Sequence, residues 1–356
     1  MKRYARLLIL MFLVTTGGLW LLSAVLPPSD GDLSRIGGFP EHDFHWRNPQ
    51  LTLSKNLFHV ASDLKEYDRD FDVVVLGDSF SCDQESRFFG WQSFFIRRTG
   101  LSVIVFDMRK YWPRQILESE GFQKHPPRVF VFESVERYLY ERTAYFSTYT
   151  PVPLAPAIPG PRRKPQVPEV RVREDLRKES GSLDPNQVIS FLKAAVLRHL
   201  GINTQVVQVP LKENNHFSSR NKQLMLVYFD EFDKKAIVPE SFGKLRAGML
   251  ALQNLVESNG LTRLVFLIAP DKTSLFAYDI QDESFVTANL IEEAAYEPRL
   301  HLIRTDQILG ESIRSGIPDI YLPNDSHWGS TGHQRIADSL ADFLEESGFF
   351  ENVDTK

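Results

Sequence analysis

Cysteine is almost absent from this chain: Cys82 is the only one among 356 residues. No internal disulfide can form, so a chain of this length must hold its fold by core burial. The lack does not argue against an oxidising compartment, because an exported chain can do without disulfides. Cys82 reads as a small buried residue rather than a reactive thiol. Metal-ligand spacing is missing too. No Cys/His cluster fits a zinc site, and His42-Asp43-Phe44-His45, the nearest approach, lies in a Pro/Gly-flanked segment. No metal or cofactor is therefore expected. There is no long basic stripe: Lys and Arg number 41 against 46 Asp and Glu, for a formal net charge of -5. That balance argues against nucleic acid as a partner. Internal repeats are lacking, which sets aside repeat architectures. What remains is ordinary globular composition, 42% hydrophobic and 24% charged.

The one long apolar run stands at the N-terminus. Met1-Lys2-Arg3-Tyr4-Ala5-Arg6 is basic, and Leu7 to Leu26 then carries no charge. A run of about 20 residues matches the thickness of a bilayer core. Pro27-Pro28-Ser29-Asp30 ends it. The basic flank should stay cytoplasmic and place the rest of the chain beyond the inner membrane, in the periplasm. The run has no polar face, so a buried core helix is a poor reading. An uncleaved single-pass anchor over residues 1–28 is the expectation. Secretion to the periplasm after signal cleavage is the alternative, although Ser23-Ala24-Val25 makes only a mediocre cleavage site.

Residues 29–70 read as a tether and lead-in segment, broken by Gly31, Gly37, Gly38, Pro40 and Pro49. From 71 to about 350 the pattern is α/β. Strands are predicted at Asp72–Leu76, Leu101–Phe106, Arg128–Phe132, Leu264–Ile268 and His301–Arg304. Helical patterns cover 91–98, 240–258, 284–295 and 331–346. Alternating strands and helices imply a parallel sheet of about five strands with helices on both faces. An insertion around 142–235 interrupts it. Pro151 to Val170 holds seven prolines and the basic patch Arg162-Arg163-Lys164, which excludes a helix or central strand and leaves a surface excursion. Residues 186–200 read as an amphipathic helix with a core-facing stripe.

Two short motifs carry chemistry. The first strand runs into Gly77-Asp78-Ser79, and Asn324-Asp325-Ser326-His327-Trp328 precedes the last helix. A serine hydroxyl becomes a useful nucleophile only when an adjacent base removes its proton, and an imidazole base needs a carboxylate to fix its tautomer. Ser79 as nucleophile, His327 as base and Asp325 as the orienting carboxylate meet that requirement. Gly77 allows a tight turn. Ser79 would stand at a strand's carboxyl end, where open α/β sheets place ligands, with its own amide available to a developing oxyanion. Each motif alone is also read as a helix cap.

In this order and in these places, the two motifs resemble the SGNH (GDSL-type) hydrolases. The chain is more narrowly similar to the SGNH-like polysaccharide O-acetyltransferases of the alginate O-acetyltransferase type. The likeness is carried by Val74 to Phe80, Val129 to Leu139, Ala269-Pro270-Asp271-Lys272 and Asp325-Ser326-His327-Trp328, where Asp stands two rather than three residues before His. It covers roughly 71–140 and 260–345. The resemblance implies an SGNH/flavodoxin-like fold. It also implies transfer of an acetyl group, through an acetyl-serine on Ser79, to a hydroxyl of an extracellular or cell-wall polysaccharide, with a multi-pass membrane acyltransferase as partner and source of the donor. A carbohydrate esterase, or a non-catalytic polysaccharide-assembly or binding protein, would carry the same residues. The chain departs from the hydrolase pattern in lacking the Gly and Asn that supply oxyanion donors. Arg109 and Arg137 are the candidate replacements, with Asp78 and Trp328 as further candidates at the substrate. Glu136-Arg137 reads as a scaffold pair. Trp91, Tyr111, Trp112 and Trp328 are candidates for stacking on sugar faces, with Trp328 favoured because it adjoins His327.

Overall fold

Val73-Val74-Val75-Leu76 has no polar face and must be covered on both sides. In the computed structural model all four residues are fully buried at the centre of an α/β sheet. The structure describes residues 2–25, 31–83, 90–148, 152–157, 165–175, 185–202 and 205–348. Its strands are β1 (Gln50–Leu53), β2 (His59–Val60), β3 (Val73–Gly77), β4 (Val103–Asp107), β5 (Val129–Val135), β6 (Val172–Asp175), β7 (Val206–Pro210), β8 (Leu224–Tyr228), β9 (Arg263–Ala269) and β10 (Leu302–Ile303). The main sheet has six strands in the order β10-β9-β5-β3-β4-β2. Each paired neighbour is parallel.

Alternation along β3 divides the core. Val73 and Val75 pack with Phe94, Phe95, Leu340 and Leu344 on one face. Val74 and Leu76 pack with Leu117, Leu245, Met249 and Leu252 on the other. Helices Trp91–Thr99 and Ser330–Glu346 therefore cover the first face, and Pro239–Glu257 the second. Parallel strands buried on both faces need such cover. Strand order reverses direction of travel at β3, which lies between β4 and β5. The crevice at the carboxyl ends of β3 and β5 is the topological switch point of the sheet.

Several expectations need correction. The sheet has a sixth strand, β2, which pairs with β4 at the edge. Two residues are too few to show a periodic signal. Residues 284–295 do not form one helix. Glu283–Phe285 is a 3-10 turn and the helix spans Leu290–Ala295. Asn289 caps it, accepting from the amides of Ile291 and Glu292, and so starts it late. The lead-in segment is not a tether from residue 31 onward. Helix Asp32–Gly37 packs Leu33 with Phe39, Phe44, Val206 and Leu226, and β1 pairs antiparallel with β6. The insertion supplies β6, helix Pro185–His199 and the antiparallel β7–β8 pair. Its Arg162-Arg163-Lys164 patch lies outside the described residues.

Residues Lys2–Val25 form one helix of 24 residues. Among the described residues no helix is long and apolar enough to cross a membrane. Of the run Leu7–Leu26, the side chains at 19, 20 and 22–26 lie outside that description, as does Pro27 to Asp30.

Candidate active site

β3 delivers the first part of the site. Its last residue, Gly77, runs into Asp78, which caps the short helix Ser79–Cys82. Asp78 is buried and faces the neighbouring strand rather than solvent. Its carboxylate accepts from the Val135 amide at 2.8 Å and from Arg142 Nη1 at 2.6 Å. Burial alone would raise the Asp78 pKa, but Arg142 and the Val135 and Phe80 amides outweigh it and hold the group below the ordinary carboxylate range. Asp78 therefore stays ionised and locks the turn. A direct role at substrate does not fit a carboxylate so fully engaged.

Beneath the turn lies Glu133 of β5, fully buried. Its Oε2 accepts from the Asp78 amide at 2.9 Å and from Ser81 Oγ at 2.8 Å. Burial, and then the adjacent charge of Asp78, push its pKa well up. The two neighbouring carboxyl groups are thus shifted in opposite directions, because Asp78 hydrogen-bonds directly to Arg142 while the Arg142 charge only partly offsets the burial of Glu133. Sequence reasoning missed Glu133, although a charged residue directly following the buried run Val129-Phe130-Val131-Phe132 was the available signal. Its closeness also explains Gly77: a Cβ there would meet Glu133 Oε2 at 2.7 Å and Ser81 Cβ at 2.6 Å.

The loop before helix Ser330–Glu346 delivers the second part. Asp325 is fully buried, and His327 is nearly so. Asp325 Oδ1 accepts from the His327 backbone amide at 3.0 Å and from its Nδ1 at 2.6 Å. This fixes the imidazole with Nδ1–H toward the carboxylate and leaves Nε2 as the basic nitrogen. The structure brings the two parts together through the residue after the serine. The Phe80 ring lies 4.7 Å from the His327 ring and 4.6 Å from that of Trp328.

A second carboxylate stands beside the imidazole. Asp32 Oδ2 is 3.8 Å from His327 Nδ1. Asp32, Asp325 and His327 have ligand atoms within 4.8 Å of one another, the one such group among the described residues. The 2.6 Å separation of Asp325 from Nδ1 is that of a hydrogen bond. An ion bonded to both atoms at about 2.0–2.2 Å would push them farther apart. Zinc-type coordination does not fit the pair as it stands.

The other sequence candidates are engaged elsewhere. Arg109 directs its guanidinium to Asp107 and Asp83, at 2.9 and 2.7 Å. Arg137 binds Asp271 at 2.6 Å. Both arginines are thus committed to carboxylates, and neither fits the role of oxyanion donor. Arg137 does not pair with Glu136 either; Glu136 faces Lys234 at 2.9 Å. Lys234 also reaches Asp271 at 3.0 Å, so the Asp271-Lys272 motif belongs to the scaffold below the site. Lys272 Nζ donates to the carbonyls of Leu322 at 3.0 Å and Leu226 at 3.2 Å, tying the His327 loop to β8. Burial lowers its pKa to about 8. Cys82 is buried, and burial with the nearby acids pushes its thiol pKa up.

Trp328 and Trp91 are fully buried and cannot offer a face to a sugar. Trp91 Nε1 donates to Ser81 Oγ at 3.2 Å, behind the serine turn. The Tyr111 hydroxyl donates to the Ser62 carbonyl. Trp112 keeps 55% exposure. It lines a cavity of about 260 Å³ together with Met108, Phe132, Tyr138, Glu141 and Arg142. Arg142, which binds Asp78, is the link between this cavity and the serine turn.

No family model matches the chain, and no curated protein or solved structure does either.

Proposed function

We propose that Ser79, His327 and Asp325 form a Ser-His-Asp centre that moves an acetyl group onto a hydroxyl of an extracellular or cell-wall polysaccharide. One observation carries the reading: His327 holds Asp325 at 2.6 Å through Nδ1 while its ring packs on Phe80, the residue after Ser79. The serine turn and the histidine loop come from opposite ends of the chain and pack against each other through Phe80, which supports the reading.

His327 takes the Ser79 proton as Oγ attacks the acetyl ester, and Asp325 stabilises the imidazolium. Collapse of the tetrahedral adduct returns that proton to the leaving alcohol and leaves acetyl-serine. A sugar hydroxyl then gives its proton to His327, attacks the acetyl carbon and releases Ser79, whose oxygen takes that proton back from the imidazolium. The cavity beside Asp78 has an exposed indole, an arginine and a glutamate. An apolar face with hydrogen-bonding groups at its edge suits a sugar ring. Water entering in place of the sugar would make the same centre an esterase.

The anchor belongs to the same reading. Between Leu7 and Val14 the apolar side chains are 56–66% exposed, a surface suited to lipid rather than water. Together with the basic flank it supports the reading in which the catalytic body stands in the periplasm, facing a membrane-embedded supplier of the acetyl donor.

The test is product formation from an acetyl ester with and without an oligosaccharide acceptor. Faster ester consumption with acceptor, together with acetylated sugar, supports transfer. Release of acetate alone assigns an esterase. Failure of a serine-directed covalent probe to label the protein would leave a polysaccharide-binding protein on a hydrolase-like fold.

A further inference from the structure

Asp32 lies almost 300 residues from His327 in sequence, in a segment that composition marks as a linker. It is nevertheless placed with care. Its Oδ1 accepts from the Ser326 amide at 2.8 Å and its Oδ2 from Ser326 Oγ at 2.5 Å. Ser326 is the residue between Asp325 and His327. The flanking backbone is fixed on the same loop: the amides of Leu33 and Ser34 donate to the Asn324 carbonyl at 3.1 and 3.2 Å. Glu41 completes the clasp, accepting from both Asn324 Nδ2 and Ser34 Oγ. The approach is so close that a Cβ on Gly31 would stand 2.0 Å from the Asn324 carbonyl oxygen.

We propose that Asp32 is a positioning residue for His327, a second carboxylate that holds the Ser326-His327 turn and adds negative charge beside Nδ1. The proposal rests on the reading of Ser79, His327 and Asp325 as the reacting groups. An imidazole that receives the serine proton becomes a cation, and two carboxylates stabilise that cation better than one. Asp325 makes the directed hydrogen bond. Asp32 acts through Ser326 and through space, at 3.8 Å. Burial and the Asp325 charge raise the Asp32 pKa, with His327 opposing them. Lys272, on helix Lys272–Leu275, and Tyr228 of β8 are the other titratable groups whose charges act on this acid. Lys272 offsets part of the negative charge around the imidazole.

The test is the titration of the His327 ring in the full-length chain, read by NMR of isotope-labelled histidine in a Ser79→Ala background and assigned by His327→Gln. Asp32→Asn is nearly isosteric and removes the charge; Asp32→Ser removes it with a smaller side chain. Either, if folded by near-UV circular dichroism, should lower the His327 midpoint by about 0.5–1 pH unit, the effect of one charge at this distance in a largely solvent-like dielectric. Asp32→Glu should keep the wild-type midpoint. In the active background, the acidic limb of kcat/KM should move down with the ring titration. An unmoved midpoint in the folded neutral variants overturns the proposal. A moved midpoint in a protein that no serine probe labels would instead overturn the catalytic reading while leaving the Asp32–His327 interaction in place.

Discussion

The Phe80 ring lies 4.7 Å from the His327 imidazole, so the serine turn and the histidine loop share one packed contact. On the proposed reading, a base held in this way by the nucleophile's neighbour has little freedom to act elsewhere. Ser79→Ala and His327→Ala should each remove most activity, by roughly 10³-fold or more, and the double variant should be little worse than either. Asp325→Asn should cost somewhat less, about 10²- to 10⁴-fold, because the amide can present an N–H to Nδ1 and favour the wrong tautomer. Steady-state rates on an acetyl ester measure all four. Losses that multiply between Ser79 and His327 would show that the two residues do not act as a unit.

Gly77 is forced by what lies beneath it. Gly77→Ala would place a methyl 2.7 Å from Glu133 Oε2 and 2.6 Å from Ser81 Cβ, and both neighbours are buried. The expected cost is about 1–3 kcal/mol of stability, seen as a lower denaturation midpoint with an unchanged urea slope. Activity should fall with it, because Glu133 also holds the Asp78 amide that leads into Ser79. A variant as stable and active as the parent would remove Glu133 from the support of the turn.

How much of this was legible in the sequence depends on how local the cause is. β3, β5 and β9 are runs of aliphatic and aromatic residues buried on both faces, and such runs announce themselves. Ser79, His327 and Asp325 could be named as candidates because they stand in two short motifs. Asp32 was not readable: a Gly/Pro-broken segment looks like a linker until its amides are seen to bind the Asn324 carbonyl. The fates of Arg109 and Arg137 were equally hidden, since Asp83 and Asp271 become their partners only through the fold. Trp328 was misjudged for a related reason. Adjacency to His327 in sequence puts its ring under Phe80, in the core, and not in the mouth of the site.

Trp112 is the aromatic residue from the sequence candidates that keeps a largely exposed face, and it lines the cavity bounded by Arg142. Trp112→Ala should raise KM for an oligosaccharide acceptor roughly 2- to 10-fold, the worth of one aromatic contact. Turnover of a small acetyl ester without acceptor should be unchanged. Equal losses with and without acceptor would place Trp112 in the structural support of the site rather than at a sugar.

Glu231 gives the scaffold a pH dependence of its own. It is buried, accepts from the Thr273 amide at 2.9 Å, and shares its surroundings with Asp271, Arg137 and Lys234. Burial, followed by the Asp271 charge, raises its pKa to about 7. A carboxyl group with a raised folded pKa contributes its full stability below its unfolded value, near 4.5, and loses that contribution as pH rises through the folded value. Between about pH 4.5 and 7 this group alone should therefore destabilise the protein progressively, by on the order of 3 kcal/mol at most. Glu231→Gln keeps the acceptor for Thr273 and removes the titration. Relative to the parent, its unfolding midpoint should improve steadily from pH 5 to pH 7.5. A difference between the two proteins that stays constant across that range would mean Glu231 is already ionised at pH 5, with Arg137 and Lys234 outweighing its burial.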